Sequence, residues 1–177
     1  MILSTTPSSD GFYMPGEYEP HLGTIMVWPT RAGSFPYSGK EAKPAFAKII
    51  KNIIKYEKMF LVCDEAHSNE LYDYFREDDF APYGNIEVII ADTDDAWARD
   101  TSPTFVINDT EIRGVDWVFN AWGGDVDGLL PNYDNDDALA SSFCKKYNYD
   151  YYDLHNKGFV LELSLIHISE PTRRTPI

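Results

Sequence analysis

The sequence predicts an α/β fold, and three observations carry that prediction. Short runs rich in β-branched and apolar residues, Gly23–Pro29, Met59–Cys63 and Ile86–Ile90, have the length and composition of buried strands. Between the first two, Ala42, Ala45, Phe46, Ile49, Ile50, Ile53 and Ile54 recur at helical spacing with lysines between them. The chain has 177 residues, 44% of them apolar, enough for one domain with a sizeable core. Strands that alternate with helices argue for α/β layering.

In chain order, residues 1–13 are small and polar and read as a loose arm. Met14–His21 is a loop stiffened by Pro15 and Pro20. The strand Gly23–Pro29 stops at its proline, and Thr30–Gly39 is a loop punctuated by Gly and Pro. The helix predicted over Lys40–Tyr56 carries Pro44 within its first turn or so, where a missing N–H is tolerated. Asp64 is a candidate N-cap for a helix that runs through Phe75. Thr104–Ile107 and Ile112–Phe119 read as strands joined by the hairpin-type connection Asn108–Glu111. Paired glycines at Gly123 and Gly124 make Ala121–Gly124 a loop that permits close backbone approach. Asp134, Asp136 and Asp137 favour a helix N-terminus, so a helix is predicted from Asp134 to about Tyr147. Tyr149–Asp153 and Gly158–Leu161 read as short strands.

The formal net charge is −14. A surplus of this size opposes binding to nucleic acid or to anionic membranes and suits a small cationic partner. Solubility alone would explain it equally well. Two cysteines are no disulfide framework. Cys63 closes an apolar strand and reads as a small core residue, while Cys144, beside Lys145 and Lys146, is a weak candidate nucleophile. The N-terminus shows no secretory pattern, and no apolar run approaches the roughly 20 residues of a membrane helix. The cytosol is therefore the expected location.

The stretch with most chemistry is Asp94–Pro103, between the strands Ile86–Ile90 and Thr104–Ile107. It holds Asp94, Asp95 and Asp100 with Trp97 and Arg99. Carboxylates beside an aromatic face suit an organic cation. The plainer reading pairs Arg99 with one Asp and uses the others to cap the turn.

Asp94–Thr101 resembles the D-D-x-W-x-R-D-T signature of agmatine deiminases, members of the guanidine-modifying superfamily that includes peptidyl-arginine deiminases. Met14–His21 is similar to that family's M-P-A-E-[WF]-E-P-H, and Gly114–Gly124 to its G-V-D-W-x-F-N-A-W-G-G. The resemblance covers about Gly11 to Glu162. It implies a partial five-bladed barrel of ββαβ units around a central site, the pentein-like fold, of which this chain supplies roughly the first half. No repeat is detectable in the sequence itself.

The activity implied is hydrolysis of agmatine to N-carbamoylputrescine and ammonia, in putrescine biosynthesis. Carboxylates hold the planar guanidinium, a Cys thiolate attacks its carbon, a His protonates the departing ammonia, and water releases the Cys-bound amidino group. No metal or organic cofactor is needed. By resemblance Asp100 is the catalytic, guanidinium-binding carboxylate, Trp97 lines the substrate channel, and Glu162 is an acid near the site. Asp94, Asp95 and Arg99 read as supports of the substrate-binding loop, with an ion pair that fixes Asp100 as one option. Trp122, Gly123 and Gly124 form a wall near the site, while Asp116, Trp117 and Asn120 serve packing and hydrogen bonding. His21 lies in a matched motif without a nameable role, and His67, His155 and His167 read as structural or solvated.

After Glu162 the family pattern G-G-S-I-H-V-D-G gives way to Leu163–Ile177, which reads as a non-native tail, with a divergent splice end as the alternative. Residues 14–162 are then expected to be the N-terminal part of the catalytic domain, without its nucleophile or H-x-D pair and inactive alone. Other readings stay open. They are a non-catalytic guanidinium-binding module, a deiminase of free or peptidyl arginine, and a generic acidic α/β domain. The expected partner is a small guanidine, and the full-length protein could form a homo-oligomer.

Overall fold

The computed structural model describes residues 1–37, 39–75 and 84–161. The family acid Glu162 and the tail 163–177 lie outside the described residues. The chain divides into two compact units. One comprises 15–98 with 134–139, and the other comprises 1–14, 99–133 and the residues from 140 onward. Both are mixtures of helix and strand.

The first unit is a three-stranded parallel sheet in the order β2 (Gly23–Val27), β3 (Lys58–Cys63), β4 (Ile86–Ile90). Helix α1 (Ala42–Ile53) joins β2 to β3, and α2 (Glu65–Tyr74) follows β3. β-branched and apolar residues suit a sheet covered by such crossover helices. Met59, Leu61 and Cys63 alternate along β3 and pack with Ile50, Ile54, Leu71 and Trp28 in one core cluster. Each such side chain contributes about 1.5–3 kcal/mol when fully buried. Pro44 is the third residue of α1, early enough to cost no helical hydrogen bond. Asp64 caps α2 by accepting the His67 N–H at 2.9 Å.

The second unit holds a four-stranded mixed sheet, ordered β1 (Ile2–Leu3), β7 (Tyr151–Asp153), β6 (Ile112–Asp116), β5 (Thr104–Ile107). The hairpin β5–β6 is antiparallel, and the other pairs are parallel. Asn108 fixes its turn by accepting the Thr110 and Glu111 N–H groups at 2.9 and 2.8 Å. Phe12, Val106, Val115 and Tyr152 form its core, with Trp117 against them.

Several expectations need correction. Residues 1–13 are no loose arm. Ile2 and Leu3 add a strand beside β7, and Asp10 accepts bonds from Thr5, Arg113 and Tyr152 at 2.6–2.9 Å. The polar composition that suggested looseness is the set of side chains that ties the arm down. The strand expected over Ile112–Phe119 ends at Asp116, and Val118 makes only an isolated bridge to Val160. The short strand read at Gly158–Leu161 is reduced to that bridge. The reading over Tyr149–Asp153 contracts to Tyr151–Asp153, because Asn148 turns the chain in a left-handed conformation at φ 57°. Two segments read as loop contain single helical turns, α3 (Ala98–Thr101) and α4 (Gly124–Asp127). No closed ring of strands is formed among the described residues, and none of their helices is long and apolar enough to cross a membrane.

Candidate functional site

The acidic loop leaves the carboxyl end of β4. In parallel sheets this is the end at which ligands are usually met. In the first unit its carboxylates are largely engaged. Asp94 reaches the N-terminus of α5 (Asp134–Lys146), 41 residues on. It accepts the Asn135 N–H at 2.9 Å, the Asp136 N–H at 3.2 Å and the Asn135 Nδ2 group at 3.1 Å. Tyr133, which precedes the helix, contributes no side-chain cap. Asp94 therefore supplies from a distance the acceptor that α5 lacks at its own N-cap. In return Asp136 Oδ1 accepts the Asp94 N–H at 2.8 Å. Asp95 is buried and accepts the Ser34 hydroxyl, and its other oxygen accepts the Ala96 N–H at 2.8 Å.

Asp136 is fully buried. Its burial pushes the carboxyl up to about 6, although the Asp94 and Asp95 amides favour its charged form, and the neighbouring Asp94 and Asp95 charges push it further up. Trp97, the aromatic residue of this loop, is 46% exposed. Such a face is accessible to a partner.

In the second unit, Asp100 and Arg99 sit on α3. Arg99 is exposed. Asp100 Oδ1 is buried, and no hydrogen bond reaches it among the described residues. A buried carboxylate oxygen without a donor is costly. A cationic N–H donor would complete it. Ala121, Trp122 and Gly124 all have left-handed backbone, at φ 53°, 60° and 58°. Side-chain-bearing residues pay roughly 1 kcal/mol or more each for this, a strain that tends to collect at functional sites. Phe119 meets Trp122 edge-on at 5.1 Å, and the Gly124 N–H bonds to the Asn120 carbonyl at 2.6 Å, so the turn is held from both sides. Gly123 N-caps α4. Trp117 donates its indole N–H to Thr104 at 3.0 Å.

Asp116 and Asp153 end adjacent parallel strands in register, and His155 follows. Donor atoms of the three lie within 4.8 Å of one another. This group could hold a divalent cation. Its atoms also serve a local ion pair, since His155 Nδ1 lies 3.0 Å from Asp153 and 3.8 Å from Asp116.

The other histidines among the described residues, His21 and His67, have close polar partners. His21 Nε2 lies 2.5 Å from Glu57, and His67 Nδ1 lies 2.7 Å from Asp64. Cys63 and Cys144 are both buried, and desolvation pushes each thiol up to about 12. Burial disfavours the thiolate of both, which argues against Cys144 as a nucleophile.

Asp136 was not among the residues singled out by sequence. In sequence its acid reads as helix-end electrostatics, and only the tertiary partner Asp94 reveals its second role. A trace of it was visible in Tyr133, which stands at the cap position of a helix otherwise rich in acids. The strain at Ala121 and Trp122 left no sequence signal, because neither residue type favours the left-handed region.

Known proteins resemble the chain closely. The profile of the Porphyromonas-type peptidyl-arginine deiminases matches residues 13–169. An agmatine deiminase of Ectopseudomonas mendocina is 44% identical over 172 residues, which cover 94% of this chain and 43% of that one. A Selenomonas ruminantium protein provisionally named agmatine deiminase is 43% identical over 169 residues, 95% of this chain and 44% of its own. The structure of the Enterococcus faecalis agmatine deiminase superimposes with a TM-score of 0.79 at 40% identity, over 86% of this chain and 40% of that one. The chain thus spans less than half the length of the relatives it matches.

Proposed function

The chain belongs to the Porphyromonas-type peptidyl-arginine deiminase family, and from that premise we propose that it supplies the guanidinium-gripping part of an enzyme that hydrolyses agmatine. The observation that carries this reading is the buried Oδ1 of Asp100, which no donor reaches among the described residues. A guanidinium offers five N–H donors in a planar fork and keeps its charge near neutral pH. A carboxylate of this kind binds it with short, charge-assisted bonds. The strained Ala121–Gly124 turn supplies a wall, and the sequence motif that carries Asp100 also carries Trp97, whose aromatic face suits the methylene body. Asp94, Asp95 and Arg99 support the loop. By resemblance Glu162, outside the described residues, is a second acid of the reading.

In the complete protein a cysteine from outside this chain would attack the guanidinium carbon as thiolate. Ammonia leaves with a proton from a histidine. Water then adds to the amidino carbon and expels the thiolate, giving N-carbamoylputrescine. The burial of Cys63 and Cys144 supports assigning the nucleophile elsewhere. Agmatine is favoured over free or peptidyl arginine by relatives that bear the agmatine name. This reading carries with it a five-bladed ββαβ fold for the whole protein, a place in putrescine synthesis and a cytosolic location.

Titration calorimetry of the chain with agmatine and with putrescine tests it. Agmatine is expected to bind at least tenfold more tightly, because putrescine lacks the planar fork. Asp100→Asn is expected to remove that preference, since losing one partner of a buried charged pair costs about 2–5 kcal/mol. Equal affinity for both amines in the native chain would sink the assignment. A guanidinium-binding module without catalysis would pass this test and fail to release ammonia even in the longer protein.

A further inference from the structure

We propose that Asp136 is a positioning residue for the substrate-binding loop: by accepting the Asp94 N–H while Asp94 accepts the first amides of α5, it fixes where Trp97 stands. The proposal rests on the functional reading above for the meaning of Trp97, and on geometry for the rest. Asp136 is 0% exposed. Its Oδ1 takes the Asp94 N–H at 2.8 Å, and Asp94 Oδ2 takes the Asn135 and Asp136 N–H groups at 2.9 and 3.2 Å. The two segments therefore cap each other, and neither can shift without exposing the other's amides. Asp95, held to Ser34 and to the Ala96 N–H, fixes the next residue of the same loop. Trp97 follows two residues on.

A capping role alone does not explain a buried acid at this place. Asp136 feels the charges of both Asp94 and Asp95, so three acids gather where an amide side chain could accept the same N–H without charge. Desolvation, with those two charges, pushes Asp136 up to about 6. Its charge state therefore changes at a higher pH than that of an ordinary carboxylate. Asp134 and Asp137, on the same first turn of α5, add to the negative surroundings. Loss of the proton strengthens the bond from the Asp94 N–H and raises repulsion with Asp94 and Asp95. The loop that carries Trp97 senses the balance.

Heteronuclear NMR of the full 177-residue chain tests this directly. The Trp97 indole N–H resonance, assigned by its absence in Trp97→Phe, is followed from pH 4.5 to 7.5. In the native chain it should titrate with a midpoint near 6. In Asp136→Asn it should stay flat, and the other resonances should show the fold retained. In Asp136→Ala, which removes the acceptor, it should move and broaden, with agmatine affinity falling at least threefold. A Trp97 resonance that does not titrate in the native chain overturns the proposal. So does a folded Asp136→Ala in which it stays in its native place. The native titration keeps the proposal falsifiable if Asp136→Ala does not fold. If the native chain titrates as expected but binds no agmatine, the functional reading fails and the positioning role stands.

Discussion

Asp136 reverses the usual sign of carboxylate electrostatics. Desolvation, opposed by the Asp94 and Asp95 amides and reinforced by their charges, lifts its carboxyl from 3.8 to about 6. The folded state therefore holds this proton more tightly than the unfolded state does. Its stabilising effect is full below about pH 4 and is lost as pH rises through 6. The shift is worth on the order of 3 kcal/mol by linkage. Most native carboxylates act in the opposite direction, so the total curve can hide this one. The difference between the native chain and Asp136→Asn isolates it. Urea midpoints taken from pH 4 to 7 should show the native chain losing stability relative to the variant as pH rises, and parallel curves would exclude the effect. Asp100 belongs to the same scale. Residue types place it among three acids of a loop that suits a cation, the family signature singles it out, and the structure adds a physical reason, a buried oxygen that no donor reaches among the described residues.

At the scale of elements, close approach between β6 and α5 decides one position. A Cβ placed on Gly114 would lie 2.4 Å from the Cys144 sulfur and 3.4 Å from the Tyr151 Cβ. Gly114→Ala should destabilise by roughly 1–3 kcal/mol through overpacking. Cys144→Ala should recover part of that loss in the double variant, because it opens the space the new methyl needs. A thermal-denaturation cycle measures the coupling, and additivity of the two changes would contradict the contact. The glycine was legible in sequence as part of a family motif, but its packing reason was not. Other elements were readable from pattern alone. The spacing of Ala42 to Ile54 gave α1, the β-branched runs gave β2 to β4, and Asp64 gave the start of α2. What escaped was either too short or too non-local. One-turn helices such as Ala98–Thr101 carry no period to detect. The strand Ile2–Leu3 exists because β7, 149 residues away, offers an edge.

At the scale of the whole molecule, placement of the two thiols bears most on activity. Both are buried and pushed up to about 12. The 177-residue chain should therefore release no ammonia from agmatine, however well it binds it. A disulfide exchange reagent should leave both thiols untouched in the native chain and label both in denaturant. Release of ammonia that replacement of Cys63 or of Cys144 abolishes would show that a buried thiol can be reached after all.

The mutual cap of Asp94 and Asp136 has a consequence for the order in which the chain folds. The start of α5 takes its acceptor from a residue 41–42 positions earlier. Closing a segment of that size costs about 3 kcal/mol of chain entropy before the bonds form. The body of α5 can therefore nucleate from local contacts, while its first turn waits until β4 and the acidic loop are in place. The Asn135 and Asp136 amides become late reporters. In pulse-labelled hydrogen exchange they should gain protection together with Asp94, after the later turns of their own helix.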